Sequence, residues 1–242
     1  MQPADHEHAH DTAAIRARLS KAARPSYLRD WVYGGIDGAV TTFAIVAGVV
    51  GADLSINVIL ALGCANLLAD GFSMAAANFS GTRSEHEERA KLTAIERRHI
   101  RTNPDGERRE IYEIFRARGV SGQDLDSITD TITANEELWI DVMLAEEYGQ
   151  PTTLRAPFHA ARVTFAAFVL AGAIPLVPYA FDLPNPHAWA IGCTCLVFFG
   201  VGALKSRWSL VDWRRSGAET LAIGTAAAAV AFGVGYLFRH IF

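Results

Sequence analysis

Five long apolar runs constrain this chain of 242 residues more than any other feature. Each run is nearly free of charged residues and is close to the 20 or so residues that a helix needs to cross a bilayer. They cover residues 33–52, 56–80, 163–181, 187–204 and 217–238. A soluble bundle of buried helices is the alternative, but five runs with so few charges argue against it. The sequence therefore predicts an all-α membrane protein with five transmembrane helices.

The charged residues concentrate outside these runs, above all between the second and third. The short connections 52–55 and 182–186 contain no lysine or arginine, whereas the N-terminal tail, the central insert and the 205–215 loop hold nearly all of them. Because cytosolic loops carry the excess of basic residues, we expect these three parts in the cytosol. Arg239 is the exception, and we expect its side chain to reach the membrane interface. The net charge of −4 argues against a nucleic-acid partner.

This reasoning divides the chain into four parts. We expect a polar cytosolic tail over 1–29, spans one and two within 30–82, a cytosolic helical insert over 83–157, and spans three to five within 158–242.

The insert has the sequence pattern of several helices. The first continues from span two through 84–100, and the residues TNPDG at 102–106 favour a turn. A second helix covers 107–118 and ends at Gly119, and Ser121 can cap a third. Thr133 and Glu136 have the spacing of a capping box for a last helix that reaches residue 148.

Polar residues inside the spans are the main functional clue, because an ionisable group at membrane depth is costly and usually lines a site or a path. Asp37 lies in span one. In span two a polar residue or a thioether recurs every four residues, at Asn66, Asp70, Met74 and Asn78. Carboxylate, amide and thioether together suit a divalent transition metal. Hydrogen bonding between helices is the alternative for the two asparagines, and Gly34 with Gly38 would allow close helix approach within the bundle or across a dimer.

The insert contains its own candidate metal ligands, in three pairs that each share one helix face. The pairs are Glu96 with His99, Glu107 with Glu110, and Met143 with Glu147. Three antiparallel helices could bring these six side chains together. A solvated acidic surface is the plainer alternative, and Glu-x-x-His is also half of a ferritin-like di-iron motif. The tail residues His6, His8 and His10 could bind metal, although a disordered tail is the simpler interpretation.

Several segments resemble the vacuolar iron transporter family over about residues 27–242. They are DGAVTTFAIVAGVVGA at 37–52, ADGFSMAAANFSGTRSE at 69–85, ERRHI at 96–100, GERREIY at 106–112 and MLAEEYG at 143–149. The resemblance implies five transmembrane helices per subunit, a homodimer with the path between subunits lined by spans one and two, and an insert that captures metal. It implies movement of Fe²⁺, and often Mn²⁺ or other divalent ions, out of the cytosol in exchange for protons.

Carried over by position, the resemblance makes Asp37 and Met74 residues of the transport path and assigns metal binding in the insert to Glu96, Glu107, Glu110, Met143 and Glu147. Two positions depart from the family pattern. His99 stands where a glutamate is common, and Asn66 stands where some members have a glutamate in the path. Imidazole still binds Fe²⁺, Co²⁺ or Zn²⁺, so we expect His99 to change selectivity, whereas Asn66 removes a proton carrier.

The hypothesis for transport is that metal and proton compete for Asp37, with Asp70 as a second candidate for proton handling and Asn66 and Met74 beside them. No prosthetic group is expected, since the metal is cargo. Short loops and an Ala- and Arg-rich composition favour a bacterial inner membrane over a vacuolar one. The rival hypotheses are a membrane-anchored ferritin-like iron oxidase, a passive divalent channel and a metal-sensing membrane protein.

Overall fold

A computed structural model describes residues 11–20 and 25–241, apart from the side chain of Trp208. The described residues are helical, with no β-strand among them. The tail histidines His6, His8 and His10 lie outside the described residues. The α-helices are α1 Thr12–Leu19, α2 Leu28–Gly51, α3 Ile56–Thr102, α4 Pro104–Ala117, α5 Gly122–Thr133, α6 Glu136–Glu146, α7 Pro157–Ala173, α8 Val177–Ala180, α9 Pro186–Lys205 and α10 Trp213–Ile241.

Within the described residues, five segments are long and apolar enough to cross a membrane, as the sequence predicts. They are Leu28–Gly51, Ile56–Thr102, Pro157–Ala180, Pro186–Lys205 and Trp213–Ile241. The protein is thus an all-α, multi-pass integral membrane protein. The described residues divide into two compact units: one comprises Tyr27–Arg101 with residues 155–241 and holds the spans, and the other comprises residues 11–20 and 25–26 with Thr102–Leu154.

Helix α2 lies at the centre of the membrane unit, where it packs against α7, α9 and α10. Its close approach to α7 depends on two glycines. A Cβ atom at Gly34 would overlap the carbonyl oxygen of Thr164, and one at Gly38 would overlap that of Phe168. The predicted close approach through Gly34 and Gly38 is therefore present within the chain, against span three.

The third span, Pro157–Ala180, contains most of the predicted apolar run 163–181, but it is not one continuous α-helix. Helix α7 ends at Ala173, a 3₁₀ turn covers Ile174–Leu176, and α8 follows. Pro175 and Pro178 explain the break, because proline has no backbone N–H to donate to the preceding turn.

Helix α3 is one continuous helix of 47 residues, which confirms that the first insert helix continues from span two. At a rise of 1.5 Å per residue it is about 70 Å long, more than twice the thickness of the hydrocarbon core. At the other end of the span region, Arg239 forms an ion pair with Asp53, with 2.8 Å between Nη2 and Oδ2.

The insert helices α4, α5 and α6 pack on an apolar core. Its fully buried members include Ile111, Leu125, Met143 and Leu144. One local prediction was right in place but too long, and another was wrong. The break between α3 and α4 falls within TNPDG as predicted, but it is confined to Asn103, because Pro104 already begins α4 with Asn103 as its cap. The cap of α6 is Asn135, whose side chain accepts from the N–H groups of Glu137 and Leu138, whereas the Thr133 hydroxyl donates to the Thr129 carbonyl.

Gly119 ends α4 as predicted, with a positive φ of 91°. Ser121 occupies the N-cap position of α5, although its side chain makes no capping hydrogen bond.

Candidate functional site

Two carboxylates from neighbouring spans form the centre of the candidate site. Asp37 lies on α2 and Asp70 on α3, and both side chains are half-buried. The negative charge of Asp70 acts electrostatically on Asp37. Among the described residues, neither carboxylate takes part in a side-chain hydrogen bond or an ion pair. Two acidic groups that repel each other within the spans, with no protein donor between them, constitute an arrangement that a cation or a proton would stabilise.

Asn66 links the two helices beside this pair. Its Nδ2 donates to Thr41 Oγ1 at 3.2 Å and to Thr42 Oγ1 at 3.4 Å, and the Thr41 hydroxyl in turn donates to the carbonyl of Asp37 at 2.9 Å. Hydrogen bonds of this kind hold spans together in a membrane. Asn66 therefore positions α3 against α2 in the immediate neighbourhood of Asp37.

Met74 lies one turn after Asp70 on the same face of α3 and is half-buried. It lines a cleft of about 220 Å³ together with Arg29, Asp30, Tyr33, Ala77, Asn78, Arg155 and Thr164. Met74 and Asn78 are thus the members of the polar stripe of α3 (Asn66, Asp70, Met74 and Asn78) that line this cleft.

A polar network on the cleft wall joins three spans. Asn78 Nδ2 donates to Asp30 Oδ1 at 2.9 Å and to Thr164 Oγ1 at 2.7 Å. Arg155 Nη1 donates to the same Asp30 oxygen at 2.5 Å. Asn78 therefore cross-links α2, α3 and α7, which fits the alternative of hydrogen bonding between helices.

Sequence reasoning did not single out Arg155 or Thr164. The Arg155–Asp30 contact joins residues 125 positions apart. The one available signal was Asp30 itself, which lies seven residues before Asp37 and so on the same face of α2.

Two of the predicted insert ligands lie near the end of α3, in the membrane unit. Glu96 is buried, with 1% of its surface exposed, and His99 follows one turn later with a half-buried side chain. The distance from His99 Nδ1 to Glu96 Oε1 is 3.7 Å. The structure therefore brings this Glu-x-x-His pair together as the spacing predicts.

The other four predicted ligands belong to the helical unit of the insert. On α4, Glu107 is buried and Glu110 is exposed; on α6, Met143 is fully buried, while Glu147 at the C-cap is exposed. Glu107 and Met143 are thus buried in the chain, whereas Glu110 and Glu147 are exposed. A buried glutamate and a buried thioether differ from the solvated acidic surface that was the alternative.

Comparison with known proteins gives a family match and several similar relatives. The family model described as the VIT family matches residues 28–236. A protein of Toxoplasma gondii named "Vacuolar iron transporter" is 32% identical over 231 residues, which cover 89% of this chain and 75% of that protein. "Vacuolar iron transporter 1" of Arabidopsis thaliana is 30% identical over 220 residues, or 88% of this chain and 86% of the relative. A protein of the same name from Oryza sativa subsp. japonica is 29% identical over 211 residues, which cover 86% of this chain and 83% of that protein.

Proposed function

The chain belongs to the VIT family and is a transporter rather than an enzyme, and from this premise we propose that it moves Fe²⁺ out of the cytosol in exchange for protons. The observation that carries the proposal is the Asp37–Asp70 pair, two carboxylates within the spans that repel each other and have no protein donor among the described residues. A metal ion and a proton can both neutralise such a pair. Their competition for it is the physical requirement for antiport.

The second part of the proposal concerns the path. Asp37, Asp70 and Met74 line the path, and the hydrogen bonds of Asn66 hold α3 against α2 beside them. The carboxylates and the thioether suit Fe²⁺, with Mn²⁺, Co²⁺ and Zn²⁺ as further cargoes of the same class. The path lies at the interface of a homodimer.

The third part assigns metal capture to the insert residues. The capture residues are Glu96 and His99 near the end of α3, Glu107 and Glu110 on α4, Met143 on α6 and Glu147 at its C-cap. A cluster of carboxylates raises the local concentration of divalent cations before they enter the spans. The capture residues belong on the cytosolic side, because the basic residues of the insert, the tail and the 205–215 loop favour that orientation.

The last part of the proposal concerns the membrane in which the protein lies. Short connections and the Ala- and Arg-rich composition favour a bacterial inner membrane, in which removal of metal from the cytosol is export. The relatives from T. gondii, A. thaliana and O. sativa are vacuolar by name, and the same direction of transport across a vacuolar membrane would serve storage.

Fe²⁺ flux into proteoliposomes, measured with and without a pH gradient, tests the proposal. We expect gradient-driven flux in the wild type, loss of flux in Asp37→Asn, and unchanged flux in Asp53→Asn, which removes an exposed carboxylate in the loop after α2. Flux that ignores the gradient would indicate a passive channel. Metal binding without flux in the wild type would favour the metal-sensing alternative. Light scattering of the protein in nanodiscs tests the dimer, and a mass of one copy would contradict it.

A further inference from the structure

Asp30 is a buried carboxylate that the transport path proposed above does not use. It lies in the first turn of α2 and is 3% exposed. Its Oδ1 receives two donors, Asn78 Nδ2 at 2.9 Å and Arg155 Nη1 at 2.5 Å. Burying an ionised carboxylate is costly unless a counter-charge and hydrogen bonds accompany it, and Arg155 supplies the counter-charge.

The second oxygen of Asp30 is different. Oδ2 is buried, and no hydrogen-bond partner for it exists among the described residues. Leaving a buried acceptor unsatisfied has a free-energy cost. A hydrogen-bond donor or a cation that contacts this oxygen would remove that cost. Asp30 and Met74 line the same cleft of about 220 Å³. That volume exceeds the roughly 30 Å³ that one water molecule occupies in the liquid, so a partly hydrated ion has room.

We propose that Asp30 and Met74 form a binding site for a divalent transition-metal ion, and that the Arg155 guanidinium is a tethered cation that competes with the ion for the Asp30 carboxylate. The ion binds when the arginine side chain withdraws, and the arginine returns when the ion leaves. A carboxylate and a thioether favour a transition metal over Mg²⁺ or Ca²⁺. The inference rests on the proposed transport function for its role in the path, but the binding itself is a separate property of the chain.

The surroundings of Arg155 provide an alternative partner for its side chain. Nη2 lies 3.6 Å from Glu85 Oε1, and this glutamate side chain is 48% exposed, whereas that of Asp30 is 3% exposed. A guanidinium that leaves Asp30 therefore has a carboxylate within reach at the edge of the cleft. The exchange moves the positive charge from a buried partner to a solvated one while the ion takes its place.

The backbone at Arg155 is held in place, so that only the side chain needs to move. The carbonyl of Arg155 is hydrogen-bonded to His86 Nε2 at 2.9 Å, and the N–H of Ala156 donates to the Tyr27 hydroxyl at 2.9 Å. These two contacts fix the chain to α3 and to the residue before α2. The proposed exchange therefore needs only the guanidinium to move, while the backbone of Arg155 stays in place.

The test is calorimetric titration of the full chain in nanodiscs with Co²⁺, which resists air oxidation better than Fe²⁺. The site is defined as the part of the isotherm that Asp30→Asn removes. We expect Arg155→Gln to tighten that part by about tenfold or more, because it removes a competing charge from a buried carboxylate. The control is Arg162→Gln, which removes an exposed arginine from α7 and should change nothing. Unchanged or weaker Co²⁺ binding in Arg155→Gln would overturn the proposal.

Arg155→Gln leaves a buried charge without its partner and could prevent folding. Glu85→Gln avoids this difficulty, since it alters an exposed side chain. It removes the alternative partner of Arg155, so we expect weaker Co²⁺ binding at the Asp30-dependent site; unchanged or tighter binding would contradict the exchange. These measurements are independent of transport: a wild type without Fe²⁺ flux would refute the proposed function and leave the Co²⁺ isotherms to decide the site.

Discussion

The replacement of Gly38 by alanine tests whether the contact of α2 with α7 positions Asp37. A Cβ at residue 38 would lie 2.8 Å from the carbonyl carbon and the Cα of Phe168, and would overlap its carbonyl oxygen. All three are backbone atoms of a buried helix, so the neighbour cannot rotate away. Gly38→Ala therefore forces α2 and α7 apart at the position directly after Asp37.

The magnitude follows from two opposing effects. Overpacking a close contact costs about 1–3 kcal/mol and sometimes more, and alanine regains up to about 1 kcal/mol over glycine in a helix. Because the overlap is with backbone atoms, the overpacking cost lies at the upper end of its range, and we expect a net destabilisation of about 2 kcal/mol. Gly35→Ala is the matched control, because its Cβ would lie 3.9 Å from the nearest neighbour, Ala171 Cβ, in ordinary van der Waals contact. It should be neutral or slightly stabilising.

The assay is thermal unfolding of both variants in one detergent, followed by Fe²⁺ flux in proteoliposomes for the variants that remain folded. Gly38→Ala should melt at a lower temperature than Gly35→Ala and should transport more slowly at a temperature where it is folded. Equal melting temperatures for the two variants would refute the close approach of α2 and α7 at Phe168. Reduced stability with normal flux would refute its role in positioning Asp37.

Two further predictions concern the insert. Asn135→Ala should raise amide hydrogen exchange at the start of α6 and cost about 1 kcal/mol, because it removes the N-cap. Thr133→Val should leave exchange at the start of α6 unchanged, because the Thr133 hydroxyl donates to the Thr129 carbonyl instead; a comparable increase there would support the capping box of Thr133 and Glu136. Met143→Leu should preserve the melting temperature, because it nearly conserves the volume of a fully buried side chain, and should weaken Fe²⁺ binding because it removes the thioether. Unweakened binding would make Met143 a core residue only.

The spans were predictable because the bilayer imposes a requirement that shows in composition alone. Without water in the hydrocarbon core, long apolar runs must form helices, and five runs were recognisable. The continuity of α3 was predictable for a related reason, since no proline or glycine cluster interrupts 82–102. The break after α7 was not, although Pro175 and Pro178 were visible, because spans often retain proline without losing their helix.

Contacts between distant residues could not be derived from the sequence. Nothing in the residues around Arg155 indicates that it pairs with Asp30, because that contact depends on how the start of α2 and the segment before α7 come together. The cap of α6 illustrates a local failure. Thr133 and Asn135 are both good capping residues, and the outcome depends on where α5 ends, which the sequence leaves open by two residues.

The polar stripe of α3 divides into groups with different roles. The amides of Asn66 and Asn78 donate to partners on neighbouring helices, and each therefore contributes to holding spans together. Asp70 lies between them on the same face and has no such partner among the described residues, and its charge instead acts on Asp37. The amides fix the distance between α2 and α3, and this fixed distance keeps the two carboxylates near each other despite their repulsion. In the proposed transport function a bound cation relieves this repulsion, so we expect Asn66, which links α2 and α3 beside Asp37, to contribute to the affinity of the path.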